Sequence, residues 1–131
     1  MSYDAFRTPA WPPMPTILIA EDETAIADTI LYALRSEGFV AEHVLLGGEV
    51  GPRVRNGGVD LVVLDVGLPD ITGFDVCRAL RAFSDVPVIF LTASADTADM
   101  VLAFDAGGVD YVTKPFQFEE VLARVKAHVA L

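Results

Sequence analysis

The stretch Asp60-Leu-Val-Val-Leu-Asp65 decides the fold. Four apolar residues stand in a row between two carboxylates, with no polar residue to mark a wet face. A short continuous run of this kind reads as a strand buried on both sides, as in parallel sheets. Thr16–Ala20 (TILIA) and Val86–Thr92 (VPVIFLT) read the same way, with Val40–Val44 and the short Asp110–Thr113 as further strands. Between them the period lengthens. Ile26, Ile30 and Leu34 fall on one helical face, which Gly38 closes in the C′ position. Gly47, Gly48, Gly51 and Pro52 allow only a short helix, over Pro52–Arg55. Val76, Cys77, Leu80 and Phe83 line the third helix. Asp96 is placed to cap a fourth, running to about Ala106, with Gly107 and Gly108 after it. Phe118, Val121, Leu122, Val125 and Val129 line the fifth.

Five strands alternating with five helices predict an α/β fold, a doubly wound three-layer sandwich around a parallel sheet. With 131 residues there is room for one domain of this kind, over 16–131. Residues 1–15 read as a tail, because Pro9, Pro12, Pro13 and Pro15 forbid regular structure there. Tyr3, Phe6 and Trp11 give that tail apolar side chains able to dock.

Apolar residues form 53% of the chain, ample for a two-sided core. No apolar run reaches the roughly 18–20 residues of a membrane span, and the first residues lack a signal-like apolar run. A lone cysteine, Cys77, makes neither an internal disulfide nor a thiolate zinc site and reads as a core residue. These features predict a cytoplasmic protein. A net charge of −10 argues against direct nucleic-acid binding by this chain. His43 and His128 read as isolated surface residues.

In open α/β sheets functional groups gather outside the carboxyl ends of the strands. Glu21 and Asp22 follow the first strand, Asp65 ends the third, Thr92 ends the fourth, and Lys114 follows the fifth. Any one of these is unremarkable; Asp65 alone could be a helix cap and Lys114 a solvated lysine. Together they place three carboxylates in one crevice. A pair about 4 Å apart repels by roughly 4 kcal/mol at an effective dielectric near 20. One lysine does not neutralise three charges, so either a proton is shared or a cation is bound. Oxygen donors without His or Cys favour Mg²⁺ or Mn²⁺ over Zn²⁺. Asp22 and Asp65 would bind such an ion directly and Glu21 through water. The set suits phosphoryl transfer, with Asp65 as nucleophile. Lys114, the Thr92 hydroxyl and the Ala93 backbone N–H would meet the phosphoryl oxygens.

At this point the chain resembles the receiver domains of bacterial two-component response regulators. The resemblance rests on Glu21-Asp22, LDVGLPDITGFD (Leu64–Asp75), LTA (Leu91–Ala93) and DYVTKPF (Asp110–Phe116). Each piece is weak alone, and their order and spacing make the match specific. It implies a flavodoxin-like sheet in the order 2-1-3-4-5, Mg²⁺ dependence, and a phosphoryl group received by Asp65 from a histidine kinase or phosphotransfer protein. It implies that the Gly67 carbonyl joins Asp22 and Asp65 around the metal, that Lys114 contacts the phosphoryl group, and that the Lys114–Pro115 bond is cis. Thr92 and Tyr111 resemble the family's switch pair. The Lys-Pro-Phe ending and the last helix look most like receivers that precede a winged-helix DNA-binding domain. The chain stops at Leu131, so a single-domain regulator or an excised receiver is expected, with transcription regulation as the output of the subclass.

That subclass pairs charges across the fourth helix, fifth strand and fifth helix, and can dimerise there. Here Leu102 and Val109 stand where Arg and Asp are usual, while Asp110 and Arg124 remain. Met100, Val101, Leu102 and Phe104 make the fourth helix apolar on more than one side, so a partner, a second copy or the tail is expected to cover it. A phosphatase of the haloacid-dehalogenase kind would need a second Asp two residues after the nucleophile, where Gly67 stands. A binding module that merely kept the fold would be expected to lose site residues, and none is missing. The reading is therefore a signalling phosphoacceptor and not an enzyme in the ordinary sense. Its acyl phosphate is lost by slow self-catalysed hydrolysis, with Gly67 and Ser94 leaving water access to the site.

Overall fold

The computed structural model describes residues 14–129. Five strands, β1 (Thr16–Ala20), β2 (Val40–Val44), β3 (Leu61–Asp65), β4 (Val88–Thr92) and β5 (Asp110–Thr113), form one parallel sheet in the order β2-β1-β3-β4-β5. The helices are α1 (Thr24–Ser36), α2 (Val50–Arg55), α3 (Gly73–Leu80), α4 (Thr97–Asp105) and α5 (Phe118–His128). This is the doubly wound sandwich that the alternation predicts.

The continuous apolar strands are explained by two cores, one on each face. Successive side chains of a strand point to opposite faces. Ile17, Ile19, Leu61, Val63, Ile89 and Leu91 therefore pack with Ile30 and Leu34 of α1 and Val121 and Val125 of α5. Leu18, Ala20, Val62, Leu64, Val88 and Phe90 pack with Val50 and Val54 of α2, Val76, Cys77 and Leu80 of α3, and Ala103 of α4. Burying each such side chain stabilises the fold by about 1.5–3 kcal/mol before entropy is counted.

Several boundaries differ from expectation for local reasons. β4 starts at Val88 because Pro87 has no N–H to give a ladder; its carbonyl still accepts from Val62. α2 starts at Val50, preceded by a 3-10 turn over Gly47–Glu49, so the glycines do not delay it to Pro52. Arg53 pins the helix to β2 through two bonds to the Glu42 carboxylate, 2.6 and 2.9 Å. α3 ends at Leu80, before Phe83, whose ring packs under the Arg55 guanidinium at 3.7 Å. Asp96 occupies the N-cap of α4 in extended conformation, but its side chain makes no capping hydrogen bond. Phe118 is exposed and not part of the buried face of α5, and Val129 is the residue after its end. Gly38 closes α1 with φ of 90°, as read. Pro15 accepts from the Val40 N–H, so the sheet edge begins within the last residues of the expected tail. The rest of that tail, with Tyr3, Phe6 and Trp11, lies outside the described residues.

Candidate functional site

The chain reverses direction across the sheet between β1 and β3, the neighbours at the switch point. The groups at their carboxyl ends share one crevice. Glu21 continues β1: its N–H bonds the Val44 carbonyl at 3.2 Å, and its own carbonyl accepts from His43 Nε2 at 2.7 Å. Its side chain is wholly buried while Asp22 points to the exposed side. Asp65 ends β3 and is 4% exposed. One carboxylate oxygen from each of Glu21, Asp22 and Asp65 lies within 4.8 Å of the others.

Lys114 enters from the end of β5, where its N–H bonds the Thr92 carbonyl at 2.7 Å. Its ammonium sits 3.2 Å from Asp65 Oδ1, 2.8 Å from Glu21 Oε1 and 3.9 Å from Glu23 Oε1. The Lys114–Pro115 bond is cis. Glu21 Oε1 is buried and has the Lys114 ammonium as its charge partner. Burial pushes the Glu21 carboxyl up to about 7, with Lys114 opposing and Asp65 reinforcing. For Lys114 burial alone pulls downward, but Glu21 and Asp65 more than offset it and hold the ammonium above the usual lysine value.

The crevice opens into a cleft of about 370 Å³ lined by Asp65, Gly67, Thr92, Ala93, Ser94 and Lys114. Gly67 N–H donates to Asp65 Oδ1 at 3.2 Å, and the Thr92 hydroxyl accepts from Ser94 N–H at 3.1 Å. Gly73 explains how the next helix comes so close: a Cβ there would lie 2.5 Å from the Asp65 carbonyl oxygen. The all-oxygen donor set of Glu21, Asp22 and Asp65, with a single ammonium among three carboxylates, fits a hard divalent cation.

Every residue predicted for the chemistry is thus brought to one place. Tyr111 stands beside it, half-buried, with its ring edge-on to Phe104 at 6.1 Å and facing a gap lined by Thr92, Phe90 and Phe74. On α4 and the turn after it, Val101, Leu102, Phe104 and Val109 are exposed, whereas Met100 is partly covered and lines the Tyr111 gap. Cys77 is fully buried, and burial raises its thiol. The two histidines are not isolated. His43 holds the Glu21 carbonyl, and His128 Nε2 lies 3.0 Å from Asp110 Oδ2, which Arg124 also approaches at 3.3 Å. A histidine opposite Ile19 in the β1–β2 ladder is legible only once the register is set.

The family model for the response regulator receiver domain matches residues 17–126. The chain is 46% identical over 112 residues to the transcriptional regulatory protein CreB of Escherichia coli (strain K12), covering 85% of this chain and 49% of the relative. It is 44% identical over 113 residues to the DNA-binding response regulator MtrA of Mycolicibacterium smegmatis, covering 86% and 50%. It therefore spans about half the length of these curated relatives. Among solved structures, the receiver domain of the TMAO respiratory system response regulator TorR superposes with a TM-score of 0.80 at 34% identity, covering 86% of this chain and 94% of that one. A CheY-like receiver protein from Methanospirillum hungatei JF-1 gives 0.80 at 29% identity, covering 87% and 92%. With the sheet order, the crevice and these matches in agreement, the chain belongs to the response regulator receiver domain family, the signalling receivers of two-component systems.

Proposed function

We propose that Asp65 is the phosphoacceptor and takes a phosphoryl group from the phosphohistidine of a histidine kinase or phosphotransfer protein. An Asp65 oxygen bonds to phosphorus as the phosphorus–nitrogen bond breaks, and the imidazole leaves with that electron pair and takes up a proton. The observation that carries this reading is Lys114 Nζ, 3.2 Å from Asp65 Oδ1 in an open cleft beside two further carboxylates. An ammonium so placed meets the charge that gathers on the transferred oxygens. Asp22, Asp65 and the Gly67 carbonyl would hold Mg²⁺ or Mn²⁺, with Glu21 acting through water. Bound there, the ion supplies further positive charge to the phosphoryl oxygens. The Ala93 backbone N–H and the Thr92 hydroxyl donate to the same group. Thr92 turning inward frees room for the Tyr111 ring to leave Phe104 and follow it.

That movement would alter the face of α4, β5 and α5, where Met100, Leu102, Phe104, Val109, Asp110 and Arg124 lie. The face then controls a partner, a second copy or an output domain, which in relatives named as DNA-binding response regulators includes DNA binding. The kinase partner would dock beside Lys114, where Ala25, Ile26, Pro115 and Phe116 line an apolar recess of about 260 Å³. We place the protein in the cytoplasm, with 16–131 as the receiver unit and 1–15 as its tail. Among the described residues no helix is long and apolar enough to cross a membrane. Self-catalysed hydrolysis would end the signal slowly, with Gly67 and Ser94 leaving water a path to the acyl phosphate.

The test is intact-mass spectrometry after treatment with acetyl phosphate and Mg²⁺. The unmutated protein is expected to gain one phosphoryl group and Asp65→Asn none. No adduct on the first, or an undiminished adduct on the second, would refute the assignment.

A further inference from the structure

The loop between β3 and α3 carries Gly67, and its hold on the rest of the molecule is uneven. At its base, Gly73 N–H bonds the Val66 carbonyl at 2.9 Å. In its middle, Leu68 is buried in the core of the α2–α3 face. Its outer end is held by Asp70, whose two carboxylate oxygens accept from Gly47 N–H and Gly48 N–H, each at 2.9 Å. These two donors are 23 and 22 residues away in sequence, in the turn that leads into α2. The turn is shaped for this contact. A Cβ on Gly47 would lie 2.8 Å from Val76 Cγ2, and one on Gly48 would lie 3.3 Å from Asp70 Oδ2. The two N–H groups hold the Asp70 carboxyl below its usual range, so it stays ionised as an acceptor. Asp70 is itself exposed and fills no space in the core.

We propose that Asp70 is a positioning residue: its carboxylate clamps this loop to the Gly47–Gly48 turn and so presents Gly67 and Asp65 together to the cation. The proposal rests on the cation site assigned above. A ligand carbonyl on a loose loop must be ordered each time the ion binds, and a clamp made in advance removes that cost. Loss of a group that orients a metal ligand weakens affinity about 10–100-fold in general. Asp70→Asn keeps the shape but offers one acceptor oxygen in place of two, and its amide N–H₂ faces a backbone N–H.

The experiment is titration calorimetry of the folded protein with MgCl₂, on the unmutated chain, Asp70→Asn, Glu42→Gln and Asp22→Asn. Glu42→Gln loosens α2 by weakening the Arg53 pair without touching the loop. Asp70→Asn is expected to weaken Mg²⁺ binding about tenfold, and Glu42→Gln to stay within about twofold of the unmutated chain. Amide hydrogen exchange supplies a second readout: Gly67 N–H should exchange faster in metal-free Asp70→Asn and not in Glu42→Gln. Unchanged affinity and unchanged Gly67 exchange in Asp70→Asn, with binding lost in Asp22→Asn, overturns the positioning role alone. Undiminished binding in Asp22→Asn overturns the cation assignment and the role built on it.

Discussion

Glu21 shows how a single residue couples folding to charge in this crevice. Its side chain is fully buried, and that burial, reinforced by Asp65, pushes its carboxyl up to about 7 from an ordinary 4.5. Between these values the folded chain keeps a proton that the unfolded chain has released. The stability from this group is complete below about pH 4.5 and is lost as pH rises toward 7. In the absence of divalent cation the protein should therefore melt lower at about pH 8 than at about pH 5.5. Glu21→Gln should narrow that gap, and thermal melts in chelator at the two pH values measure it. Glu21, Asp22, Asp65, Thr92 and Lys114 were legible as strand-end polar residues without any coordinates. His43 and Asp70 were not, because their partners are backbone groups of other segments, and backbone carries no sequence signal.

At the scale of elements, the glycines separate into those that need their missing side chain and those that do not. Gly73 opens α3 against the Asp65 carbonyl, while Gly51 sits in α2 with open space around its Cα. Gly73→Ala should destabilise the fold by about 1–3 kcal/mol through overpacking. Gly51→Ala should stabilise it by about 0.5–1 kcal/mol through helix propensity. Urea denaturation of the two variants gives both signs in one experiment. In sequence the two residues look alike, so a helix start at Pro52 is what the glycines suggest while α2 begins at Val50. The central strands were easier: a short continuous apolar run needs two covered faces, and a sheet between helix layers supplies them. Pro87 is the exception, an apolar residue inside such a run that cannot join the ladder.

At the scale of the molecule, α4 offers an apolar surface to a partner. Val101 and Leu102 are 51% and 40% exposed, and Phe104 and Val109 are exposed as well. Phosphorylation is expected to change self-association through this face. Light scattering with and without acetyl phosphate should show a rise in mass that Leu102→Arg abolishes; equal masses throughout would count against a dimer. The position of β5 bears on how such a message travels. It is one of the two edges of the sheet, and among the described residues it pairs with β4 alone. Lys114 lies just beyond one end and Asp110, with Arg124 and His128, at the other. At about 3.3 Å per residue, that makes a rod of roughly 13 Å between crevice and flank. Shifting a central strand would tear two ladders, whereas shifting this one strains a single seam. Of the two edge strands, β5 is the one that carries the crevice lysine at one end and a charged cluster at the other, so a small tug on Lys114 can be felt at its far end.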